Sequence, residues 1–112
     1  MNDCIFCRII NREIPSTIVY ENDSIIAFED ISHMAPVHTL IVPKKHIANI
    51  LELEDPELLE EITFAIRKVA EIKGVDKTGF RIITNTGDDG CQSVKHLHFH
   101  LLGGKKLSEK LD

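Results

Sequence analysis

Three absences narrow the reading of this chain before any motif is considered. No apolar stretch approaches the ~20 residues of a membrane span, and Met1-Asn2-Asp3-Cys4 places no charged segment ahead of a long apolar run, so neither an anchor nor a secretory leader is expected. Positive charge is in deficit: the formal net charge of -5 argues against non-specific binding to nucleic acid or to an anionic membrane. A small anion held by local donors remains compatible with it. Cysteine is scarce and odd in number, so the three residues do not read as a disulfide framework. The expected compartment is the cytoplasm, where Cys4 and Cys7 stay reduced and available as metal ligands, and Cys91 reads as a free thiol.

Repeats and low-complexity linkers are also missing, so residues 1–112 are expected to form a single domain with a core large enough to fold alone. Along it, Cys4 to Glu13 reads as a short helix or compact turn with Ile5, Phe6, Ile9 and Ile10 on its apolar side, ended by Pro15. Thr17 to Tyr20 and Ser24 to Glu29 are apolar and β-branched runs split by Glu21-Asn22-Asp23, the pattern of a hairpin. His38 to Val42 is a third strand, closed by Pro43. Pro56 to Lys73 is the strongest helix: Asp55 suits its cap, Pro56 its first position and Gly74 its stop. Leu58, Ile62, Ala65, Ile66, Val69 and Ile72 recur at helical spacing and predict its buried face. Phe80 to Asn85 is a fourth strand. Short strands joined by tight turns, with one long helix among them, predict an α+β protein with an antiparallel sheet covered by that helix.

The fifth strand carries the chemistry. In His96-Leu97-His98-Phe99-His100-Leu101-Leu102, three of the six histidines stand two residues apart with large apolar residues between them. Such a period puts imidazoles on one face and core residues on the other. At about 3.3 Å per residue, His96 and His100 lie roughly 13 Å apart, so the three rings do not readily close on one metal ion. Neighbouring rings could share a metal, or each could hold a separate job. A strand whose polar face merely happens to be histidine is the plainer alternative, but histidine titrates near neutrality and is costly to bury without a partner.

Before this strand, the glycine-punctuated loop Asn85 to Ser93 offers backbone N–H groups beside Gln92 and Ser93, a plausible cradle for phosphate. Neutral imidazole next to such a cradle suits nucleophilic attack at phosphorus. Cys4-x-x-Cys7 on its own reads as a redox pair, half a zinc site or chance; zinc needs two further ligands, which histidines such as His46 and His96 could supply. His33 reads as a solvated loop residue.

The histidine run matches the signature of the histidine triad superfamily. The chain also resembles its Hint-like branch nearly end to end, through Ile5-Phe6, Glu13-Ile14-Pro15, Phe28-Glu29-Asp30-Ile31, His38 to His46 and Gly90-Cys91-Gln92-Ser93-Val94. This resemblance implies a five-stranded antiparallel sheet with one long and one short N-terminal helix, joined across a homodimer into ten strands. It implies hydrolysis or transfer at the α-phosphorus of a purine mononucleotide, with His98 as the nucleophile that becomes nucleotidylated. His100 would assist at phosphate and His38 would complete the cluster. Ser93 and Asn85, with Gln92, would lie at the phosphate and leaving group, Asp30 at the ribose hydroxyls, and Phe28 and Ile31 at the base. In similar bacterial members a structural zinc is held at the positions of Cys4, Cys7, His46 and His96, and catalysis itself requires no cofactor. The tail Lys105 to Asp112 departs from the family's Trp-Pro-Pro-Gly ending, which leaves the leaving-group preference open. The competing functions are a dinucleoside polyphosphate hydrolase, a nucleotide- or zinc-binding interaction protein with vestigial catalysis, and a metalloenzyme that uses the triad itself as ligands.

Overall fold

A computed structural model describes residues 3–110. Its elements run α1 (Ile5–Ile10), β1 (Ile18–Glu21), β2 (Ile25–Glu29), β3 (Val37–Pro43), a 3₁₀ turn (Ile50–Glu52), α2 (Pro56–Ile72), β4 (Phe80–Ile83) and β5 (Phe99–Gly103). The expected elements are all present, with shifted ends. The expected N-terminus Met1-Asn2 and the final Leu111-Asp112 lie outside the described residues.

Helix α1 stops well before Pro15 because Arg12 takes a left-handed conformation, φ 65°. The Glu13 N–H donates to the Arg8 carbonyl at 2.8 Å and the Arg12 N–H to that of Ile9 at 3.0 Å, a Schellman ending with arginine where glycine is usual. Helix α2 follows the sequence closely. Asp55 Oδ1 accepts from the Glu57 N–H at 2.9 Å, and Gly74, φ 75°, ends the helix as Val75 N–H donates to the Ala70 carbonyl. Leu58, Ile62, Ala65 and Val69 are buried, and Ile66 packs partly against them, but Ile72 is 55% exposed. The chain folds back beneath the last turn, where Val75 joins the core beside Ala70, so Ala70 takes the inward place expected of Ile72.

The sheet is antiparallel throughout, in the order β1-β2-β3-β5-β4. Asn22 makes the β1–β2 turn by accepting from the Ser24 and Ile25 N–H groups. Period-two alternation divides the sheet between two cores. Ile25, Ala27, Ile41, Phe99 and Leu101 face α2, whereas Ile26, Phe28, Leu40 and Val42 face α1 through Phe6 and Ile9. Strand β3 is central, paired on both sides, and among the described residues no helix is long and apolar enough to cross a membrane.

The histidine run is only half a strand. β5 begins at Phe99, and His96 to His98 approach it as an irregular extended segment in which the Leu97 N–H donates to the Ile47 carbonyl rather than to a ladder partner. The alternation nevertheless persists: Leu97, Phe99 and Leu101 enter the α2-side core while the imidazoles point the other way. That second face is itself covered, leaving His96 fully buried and His98 5% exposed. Likewise β4 ends at Ile83, short of Asn85, because the chain there turns into the glycine-rich loop.

Candidate active site and metal centre

Register brings the catalytic candidates together. Asp30 follows the Glu29–Thr39 pair and so stands across from His38, while His38 pairs with Leu102 and Leu40 with His100, making His38 and His100 diagonal neighbours on one face. The polar atoms accordingly meet. His38 Nε2 lies 2.9 Å from His100 Nδ1 and 3.2 Å from Asp30 Oδ2.

Main-chain partners fix the tautomers. The Met34 N–H donates to His38 Nδ1 at 3.0 Å, so the proton of neutral His38 sits on Nε2 and is donated toward His100 Nδ1 and Asp30. His100 must then carry its own proton on Nε2. His98 Nδ1 donates to the His96 carbonyl at 2.7 Å, which leaves a lone pair on His98 Nε2. His96 Nε2 donates to the Pro43 carbonyl at 2.8 Å, which frees His96 Nδ1 to face Cys4 Sγ at 3.3 Å and Cys7 Sγ at 3.5 Å.

Burial keeps these rings neutral. It lowers the pKa of His98 against the opposing pull of the His96 carbonyl and Asp30, and lowers that of His38 against Asp30. His100 falls furthest, to about 4, through burial and then the proximity of His98 and His38. For Asp30 burial acts upward, but hydrogen bonds from the Ser32 N–H and hydroxyl, with His38 and His100 nearby, outweigh it and hold the carboxyl below its ordinary value. The site therefore sets neutral imidazoles beside a carboxylate at neutral pH.

A cleft of about 430 Å³ opens over this face. Phe28, Asp30, Ile31, Ser93, His98 and His100 line it, and so do Ile5, Phe6 and Ile9 of α1, a wall whose apolar side was visible in the sequence but not its destination. Phe6 stands edge-on to His98, ring centres 5.0 Å apart. His38 lies behind His100 rather than in the wall. Asn85 is half-buried two residues beyond the end of β4 and outside the lining residues. Gln92 is turned inward: its amide N–H groups donate to the Ala48 and Val94 carbonyls, and its oxygen accepts from the Gly87 N–H. Its side chain braces the loop that presents Ser93.

A second cluster joins Cys4, Cys7, His46 and His96, whose ligand atoms all lie within 4.8 Å of one another. Cys4 caps α1, Cys7 is one turn on, and His46 Nδ1 lies 3.2 Å from Cys7 Sγ. A tetrahedral zinc with bonds of roughly 2.0–2.3 Å needs ligand atoms roughly 3.3–3.8 Å apart; the sulfur–nitrogen distances of 3.3 and 3.5 Å fall in that range and the third, 3.2 Å, just below it. The donor set suits the same metal. Asp30, His38 and His100 also cluster, but there the His38 proton lies between the ring nitrogens, making a hydrogen-bonded chain. His33 is exposed, as is Cys91.

Comparison with known proteins agrees with this geometry. A family model described as the HIT domain matches residues 11–107. An uncharacterized HIT-like protein of Synechococcus elongatus is 47% identical over 108 residues, covering 95% of this chain and 94% of that protein. A 14 kDa zinc-binding protein of Brassica juncea is 43% identical over 110 residues, covering 95% and 96%. Among solved structures, a HIT family hydrolase from Clostridium thermocellum superposes with a TM-score of 0.95 at 49% identity, covering 99% and 98% of the two chains. With two of its three alternating histidines at the cleft, the third in the Cys/His cluster, and this likeness across nearly its whole length, the chain belongs to the histidine triad, or HIT, family.

Proposed function

We propose that this protein is a purine nucleoside phosphoramidate hydrolase or nucleotidyl transferase. The observation that carries the reading is the hydrogen bond from His98 Nδ1 to the His96 carbonyl, which holds the Nε2 lone pair of a cleft-lining, neutral imidazole ready for attack. The solved relative described as a hydrolase supports the reaction class.

In this reading Phe28 and Ile31 receive the base and Asp30 accepts from the ribose hydroxyls, with exposed Ser32 yielding its hydroxyl contact. An apolar base pocket discriminates weakly, so base choice is loose. His98 Nε2 attacks the α-phosphorus, forming a P–N bond as the bond to the leaving amine breaks and the amine departs with a proton drawn from solvent, which the hydrolytic step returns. His100 Nε2–H donates to a non-bridging oxygen, with His38 holding it in that tautomer. Ser93 and Asn85 serve the phosphate and leaving group, and Gln92 supports them from behind. Water then cleaves the phosphoramidate, releasing the mononucleotide and restoring neutral His98. Zinc held by Cys4, Cys7, His46 and His96 would pin α1 to the sheet as a closed structural site, with no part in the chemistry.

We propose further a homodimer formed through β4. This edge strand leaves Phe80 and Ile82 over a third exposed on the face beside α2, whereas the opposite edge ends in Glu21, which pairs with both Lys44 and Arg12. Pairing β4 with its copy would join the two sheets into ten strands.

Rapid-quench mass spectrometry with adenosine 5′-phosphoramidate tests the chemistry. A nucleotidyl adduct on His98 is expected, with turnover abolished and AMP binding retained in His98→Ala. Equal turnover by mutant and wild type would overturn the assignment, and preference for diadenosine polyphosphates would move it to the other branch of the superfamily.

A further inference from the structure

One polar contact at the nucleophile belongs to neither the triad nor the metal cluster. The Thr84 hydroxyl donates to the main-chain carbonyl of His98 at 2.7 Å. Thr84 is half-buried and stands one residue past the end of β4. Extending the β4–β5 register beyond the Ile83–His100 pair would set Thr84 across from Phe99 and Asn85 across from His98. The chain does not follow that path. It leaves the sheet to enter the Asn85–Ser93 loop, and the hydroxyl serves the His98 carbonyl where the ladder has ended.

From this we infer that Thr84 is a positioning residue: it clamps the His98 backbone to the start of the phosphate loop and so fixes the spacing between nucleophile and cradle. The inference rests on the assignment of His98 as nucleophile. His98 is then held on two sides, by the ring hydrogen bond to the His96 carbonyl and by its own carbonyl on Thr84. Since His98 precedes the regular part of β5, no backbone ladder on the β4 side substitutes for the second hold. The loop itself is tight: a Cβ at Gly90 would stand 2.5 Å from the Thr86 carbonyl oxygen, two residues along from Thr84. Base and ribose contacts lie on β2 and the residues after it, across β3 from this clamp. Loss of the hydroxyl should therefore misalign attack without weakening nucleotide binding.

Thr84→Val removes the donor at nearly constant shape, and Thr84→Ser retains it. With adenosine 5′-phosphoramidate, Thr84→Val is expected to slow His98 adduct formation and kcat by about tenfold or more, while KM and the AMP dissociation constant stay within roughly twofold and Thr84→Ser recovers most of the rate. The inference is overturned if Thr84→Val turns over like wild type, if Thr84→Ser is as slow as Thr84→Val, or if AMP affinity falls in step with kcat. Should Thr84→Val fail to fold, Thr84→Ala at reduced temperature carries the same comparison. A wild type that forms no His98 adduct defeats the parent reading; a wild type that forms it, beside an unimpaired Thr84→Val, defeats this inference alone.

Discussion

At the residue scale, the four inward histidines differ by what the main chain does to them. The carbonyls of His96 and Pro43 and the N–H of Met34 assign each ring its proton, so chemically identical side chains are set up differently, as the proposed roles of nucleophile, donor, support and metal ligand require. A consequence is measurable as pH-dependent stability. His100 titrates at about 4 in the folded chain against an ordinary value of 6.5. Between those values the unfolded chain binds more protons, so its contribution is complete above pH 6.5 and is lost as pH falls toward 4, by at most roughly 3 kcal/mol. The urea midpoint is expected to drop between pH 7 and pH 4.5, and His100→Asn to flatten that slope. An unchanged slope in the variant would contradict the assignment.

At the element scale, α1 does more than its six residues suggest. Cys4 and Cys7 tie it to His46 and His96, and Phe6, between those cysteines, meets both Phe28 and His98 edge-on. Cys4→Ser, which keeps a capping oxygen, is expected to release metal to a chelator too weak to strip wild type, and a stronger chelator that lowers the Tm of wild type is expected to leave that of the variant unchanged. A variant that melts and retains zinc like wild type would count against the four-ligand site. In α2 the packing is conventional: Ile62 is 1% exposed, and Ile62→Ala should cost about 2–5 kcal/mol by chemical denaturation. These elements were differently legible in the sequence. Period, caps and Gly74 disclosed α2 because every signal was local and of the usual residue type. The end of α1 was hidden because Arg12 occupies the left-handed position without being glycine or asparagine. The three histidines announced a site, yet their separate roles depend on main-chain groups that carry no sequence letter, and the inward turn of Gln92 depends on Ala48 and Gly87.

At the scale of the whole molecule, the two edges of the sheet are unlike. Charge guards β1, while apolar side chains on β4 remain uncovered beside a helix that contacts β1, β2 and β3. Sedimentation is expected to give about twice the 12.7 kDa chain mass, and Ile82→Glu to return it to one chain. A wild type that sediments as a monomer at micromolar concentration would contradict the β4 interface.

The central pairing of β3 with β5 also dictates when anything can work. His38 and His100 are 62 positions apart, and Cys4 and His96 are 92 apart. Both meetings wait for closure of a long loop, the slow kind of step in folding. During synthesis, therefore, neither the His38–His100 contact nor the Cys4, Cys7, His46 and His96 cluster can form until residues 96–100 have been made. Any metal capture and any catalytic competence should then arrive together, with no half-active intermediate before that segment emerges.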